Sequence, residues 1–155
     1  MKSPKILKLP SGLNVILYSS KQFTTVTILV LVKNGADYES EQTNGVSHFI
    51  EHLVFKGSKK FITPSLLAIE LDKIGAEYNA FTSYEYTGYF IKTFPEYLPK
   101  AIEIITDIVI NPIFPEREIE KERKVILEEI KYYQDTPTKF IHNLLQKTLY
   151  GDQPA

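Results

Sequence analysis

GVSHFIEHLVFKGS, residues 45 to 58, is the stretch from which the rest of the chain can be placed. Its centre, HFIEH over residues 48 to 52, sets two imidazoles four positions apart with a carboxylate just before the second. Four residues is slightly more than one helical turn, so His48 and His52 share a helix face and can reach a single ion. At about 100° per residue, His48, Glu51, His52 and Phe55 gather on one side, while Val46, Phe49, Ile50, Leu53 and Val54 cover the other. One face is built to do chemistry and the other to pack. Asn44 is placed to cap this helix, and Gly57 to end it in a left-handed conformation.

The order His-x-x-Glu-His is that of the inverzincin type of zinc peptidase motif. A carboxylate beside a bound metal ion can take a proton from water, whose pKa zinc lowers to about 7, and pass it to a leaving amine. Glu51 has that position. Catalytic zinc keeps three protein ligands and an open place, so one more ligand is required. The chain has no cysteine, which also leaves its redox compartment undetermined, and the ligand must be His, Asp or Glu.

The helix expected over residues 115 to 134, PEREIEKERKVILEEIKYYQ, offers two candidates. Ile119, Val125, Ile126, Ile130 and Tyr133 lie on or near one stripe, and Glu122 and Glu129 lie in it too. Seven residues is close to two turns, so these carboxylates point the same way. A carboxylate in an apolar stripe must be compensated, and a dication would compensate it. Lys121 or Arg123 could do so instead, and Glu118, Glu120 and Glu128 read as solvated or paired helix charges.

Outward from these helices, Ile6–Leu9 and Leu13–Tyr18 form an opening hairpin around Pro10, Ser11 and Gly12. Thr24–Val32, apolar on both parities, is expected as a central strand covered on both faces. A helix runs from Thr63-Pro64 to near Gly75, followed by a strand pair at Glu77–Ser83 and Tyr86–Thr93. Further helices follow at about 97 to 110, 115 to 134 and 138 to 150, the last with a buried stripe of Phe140, Ile141, Leu144, Leu145 and Leu149. This order implies an α+β class, a mixed β-sheet with helices packed on one face.

With 155 residues, one domain is expected. The formal charge of -1 recruits neither nucleic acid nor an anionic membrane. No run approaches the roughly 20 apolar residues of a membrane span, and MKSPKILKLPSGLNV lacks a signal h-region, so a cytoplasmic location is the default. His142 stands alone and reads as structural or exposed, and Ser47 and Ser83 have no paired base.

GVSHFIEHLVFKGS, with GAEYNAFTSYEYTGY at 75 to 89 and ERKVILEEIKYYQDTP at 122 to 137, resembles the M16 family of metallopeptidases. The resemblance implies an N-terminal metallohydrolase domain of the type found in processing peptidases, present here over residues 1–155 and truncated. It implies one zinc ion (Zn2+) per chain on His48, His52 and Glu129, with Glu128 the competing neighbour. Glu51 would be the base, and Glu122 would have a supporting electrostatic role. It further implies that an extended peptide or unfolded segment adds to the strand at Asn79, Ala80, Phe81 and Thr82. A second homologous half or partner subunit would complete a zinc endopeptidase. The competing reading is a non-catalytic subunit that binds peptides or serves assembly.

Overall fold

A computed structural model describes residues 3–151. β1 (Lys5–Lys8) and β2 (Asn14–Leu17) pair as a separate antiparallel hairpin. β3 (Val26–Val32) leads into α1 (Val46–Val54) and α2 (Pro64–Lys73), and the chain then returns through the hairpin of β4 (Glu77–Thr82) and β5 (Thr87–Thr93). α3 (Leu98–Ile110), α4 (Glu116–Asp135) and α5 (Pro137–Tyr150) follow. The class is α+β, as the element order implies. None of the helices among the described residues is long and apolar enough to cross a membrane.

The main sheet has the order β3-β5-β4 and differs from expectation in two ways. Both of its pairings are antiparallel rather than mixed. The α1–α2 crossover does make β3 and β4 parallel in direction, but β5 inserts between them. β3 is therefore an edge strand, and β5 is the central one. Ile28 and Val30 of β3 face the core beside Ile91 and Tyr89, whereas Leu29 and Leu31 on the opposite face are exposed. Apolarity on both parities marks surface that can be covered, and helices cover one face of this sheet.

The core lies between that face and the helices, with Leu71, Ile91, Ala101, Ile104 and Ile108 fully buried. Each large aliphatic side chain sequestered there contributes about 1.5–3 kcal/mol. α2 starts as its sequence implies: the Thr63 hydroxyl accepts from Leu66 N–H at 3.2 Å.

α1 starts differently. Asn44 closes the preceding turn at Glu41–Thr43, and the cap position is Gly45, whose φ of 86° is costly for any residue with a Cβ. The cap itself comes from Glu39, whose carboxylate accepts from the N–H groups of Gly45 and Ser47, each at 2.6 Å. Ser47 Oγ accepts from Asn34 Nδ2 at 3.0 Å, and the Asn34 carbonyl accepts from Thr87 Oγ1 at 2.8 Å. A continuous polar chain thus fastens the start of α1 to the sheet. At the other end the helix stops at Phe55, and Gly57, with φ 155°, lies outside the compact left-handed geometry expected of it.

Two apolar faces lack the cover expected of them. Leu53 and Val54 of α1 are buried, but Val46 and Ile50 are exposed. The α5 stripe of Phe140, Ile141, Leu144, Leu145 and Leu149 is exposed throughout. Helical periodicity identifies a face able to pack, and among the described residues α5 packs chiefly on α4.

Burial alone would raise the Glu39 pKa, but hydrogen bonds from Ser47 and Gly45 prevail and hold it below the usual glutamate value. A lowered folded-state pKa contributes stability above the unfolded pKa, and that stability is lost as pH falls through the folded one. Glu39→Ala should therefore cost about 1 kcal/mol at neutral pH. In urea titrations the gap between parent and variant should close below the ordinary glutamate pKa.

Candidate metal centre

Successive turns of α1 bring His48 and His52 together with their Nε2 atoms 3.2 Å apart and their rings edge to face, 88° between planes. Glu129 comes from α4, which packs against α1. Its Oε2 lies 3.7 Å from His48 Nε2 and 3.5 Å from His52 Nε2. The circle through three atoms so spaced has a radius of about 2.0 Å, the length of a zinc–nitrogen or zinc–oxygen bond. Two neutral imidazoles and one carboxylate form a donor set suited to zinc, with room left for a fourth ligand. Among the described residues these three form a group able to hold a metal ion.

Glu122 stands two turns before Glu129 and is the one buried residue of α4, at 6% exposure. Its Oε2 lies 3.2 Å from His52 Nδ1, and its Oε1 lies 2.7 Å from Lys56 Nζ. Glu51 projects toward the sheet, where its Oε2 accepts from the Thr82 hydroxyl at 2.6 Å. Tyr89 on β5 lies in the field of Glu51. Burial, aided by that negative charge, pushes the Tyr89 phenol up to about 12.

Residues 14–155 match the family model for Insulinase (Peptidase family M16). The chain belongs to this peptidase family. A zinc protease of Rickettsia felis is 41% identical over 149 residues, spanning 96% of this chain and 36% of its own length. The human mitochondrial-processing peptidase subunit beta is 39% identical over 146 residues, spanning 94% of this chain and 29% of its own. A protease crystal structure from Helicobacter pylori superposes with a TM-score of 0.82 at 28% identity, covering 89% of this chain and 33% of that one. The chain therefore spans about a third of the length of the curated relatives it matches.

Against this M16 background, the structure gathers His48, His52, Glu122 and Glu129 at one place, with Glu51 on the same helix. Glu128 is exposed and pairs with Lys131 at 2.7 Å, away from the histidines. His142 is exposed and stands outside the cluster. Ser47 serves the polar chain at the start of α1, and Ser83 Oγ binds the Tyr86 carbonyl in the hairpin turn. Asn79–Thr82 lie on β4, an edge of the sheet. Tyr78, Ala80 and Thr82 point to its helix-covered face, while Asn79 and Phe81 point away from it.

Lys56 and Thr82 at the site, and Glu39 at the start of α1, have side-chain partners that the sequence alone does not assign. Lys56 carries a signal of a kind, being a cation four positions after His52. The Thr82 side chain carries none, because its partner Glu51 is brought to it by tertiary packing, and Glu39 carries only its acidity a few residues before the helix it caps.

Elemental analysis of chain purified without chelators is expected to find about one zinc per molecule. Glu129→Ala should lower zinc affinity by at least about a hundredfold, beyond the range typical of outer-shell losses. Glu128→Ala should leave it unchanged. The reverse pattern would identify Glu128 as the ligand.

Proposed function

We propose that the chain forms the metal-binding part of a zinc endopeptidase acting on peptides or unfolded segments. The observation that carries this reading is the triangle of His48 Nε2, His52 Nε2 and Glu129 Oε2, whose sides of 3.2, 3.5 and 3.7 Å suit one ion. Family membership supplies the reaction class, hydrolysis of peptide bonds. When bound, zinc lowers the pKa of water and polarises the scissile carbonyl.

The chain's own residues divide the remaining work. Glu51 accepts the proton of the attacking water and later returns it to the leaving amine. The hydroxyl of Thr82 fixes one of its carboxylate oxygens and leaves the other for that exchange. Glu122 accepts from His52 Nδ1 and keeps Nε2 directed at the ion. The outer edge of β4, unpaired among the described residues on the side away from β5, receives the peptide as an added strand over Asn79–Thr82. Thr82 thereby joins peptide-holding strand and base in one residue. The second homologous half or partner subunit covers apolar surface that these residues leave exposed, including the α5 stripe, and completes the active enzyme.

With that half or subunit present, Glu51→Gln should lower kcat by at least about a hundredfold while zinc content stays at the parent level. Unchanged cleavage in that variant would end the proposed mechanism. Thr82→Val should lower kcat by about tenfold, the worth of one hydrogen bond to a charged group. Its KM should stay near the parent value, and Thr82→Ser should recover most of the rate.

A further inference from the structure

We propose that Lys56 is a positioning residue of the metal centre: it fixes Glu122, and Glu122 fixes the orientation and tautomer of His52. The inference rests on the zinc-site reading above and extends it to a residue that touches neither ion nor substrate.

The geometry begins with the Glu122 carboxylate, which divides its oxygens between two partners. Oε1 takes Lys56 Nζ at 2.7 Å, and Oε2 faces His52 Nδ1 at 3.2 Å. A carboxylate held at both oxygens cannot turn about its terminal bond without losing one contact. An ionised carboxylate only accepts, so His52 Nδ1 carries the hydrogen and Nε2 presents its lone pair to the ion.

Without Lys56, Glu122 would hold a single contact and be free to swing. Among the described residues, Lys56 is the one Lys or Arg within ion-pair distance of any of Glu51, Glu122 and Glu129.

The backbone that carries Lys56 is itself fastened. Lys56 N–H donates to the Leu53 carbonyl at 2.9 Å, extending the end of α1. The Gly57 carbonyl accepts from Ile113 N–H at 3.0 Å, and a Cβ on Gly57 would come within 3.0 Å of the Ile113 side chain. Lys59 N–H donates to the Asn111 carbonyl at 3.0 Å, and Lys60 N–H to Asp107 Oδ2 at 2.9 Å. The loop is clamped against the end of α3 and its exit, so the ammonium is presented from a rigid base.

Zinc dissociation constants by chelator competition on the purified chain test this, for parent, Lys56→Met and Lys56→Arg, with folding checked by circular dichroism. Lys56→Met should bind zinc about tenfold more weakly, in the range of outer-shell substitutions. Lys56→Arg, which keeps charge and donors, should stay within about threefold of the parent. With three histidines in the chain, nitrogen NMR can follow His52 directly. In the zinc-free parent its Nδ1 should be the protonated nitrogen, and in Lys56→Met a tautomer mixture should appear.

Should the Met variant fail to fold, Lys56→Gln keeps a donor of shorter reach and should show the same weakening. Equal zinc affinity in parent and a folded uncharged variant overturns the inference, leaving Lys56 a strap between helices. Equal loss in the Met and Arg variants also overturns it. A parent that takes up no zinc overturns the metal-site reading, and this inference with it.

Discussion

The junction of α1 with α4 is held by charge at its most enclosed point. Glu122, the one buried residue of a 20-residue helix, meets Lys56 on one oxygen and His52 on the other. An unpaired carboxylate at such a place would cost several kcal/mol, so the two helices are stable together only in a register that satisfies it. That register decides everything downstream. Glu129, two turns further along α4, lies on the same face, and the register that seats Glu122 also brings it beside His48 and His52. A slip of one residue along α4 would turn it by about 100° and carry Glu129 away from the histidines.

A second set of polar contacts sets α1 against the sheet. Glu39 caps its first turn, while Asn34 and Thr87 tie Ser47 to the ends of β3 and β5. Thr82 then reaches Glu51 from the end of β4. The chemistry-bearing face of α1 is thus surrounded by directional bonds, and Leu53 and Val54 supply its apolar anchorage in the core. Directional bonds specify an angle, which burial of apolar area alone does not. A helix that must present three side chains at defined positions benefits from this division.

Much of this was legible in the sequence. The i, i+4 histidines and the seven-residue interval from Glu122 to Glu129 are periodicities, and periodicity survives folding unchanged. The element order gave the α+β class for the same reason. What escaped depended on how segments fold back on one another. β3 reads as central from its own composition, but its place at the edge is decided by β5 coming to lie between it and β4. Asn44 is a good cap by type, yet Glu39 folds back and takes the task from six residues upstream of Gly45. The α5 stripe announces a face able to pack, and no local rule says where the surface that packs on it resides.

Tyr89 bears on how the region can be observed. Its phenol is pushed up to about 12 and lies within the influence of Glu51, so it remains a neutral dipole across the range in which carboxylates and imidazoles change charge. Among ten tyrosines, it is one that ordinary alkaline titration would leave untouched while the fold holds. Buried in the core, Tyr89 is a native optical sentinel: its early ionisation would report water reaching the sheet face that the helices cover.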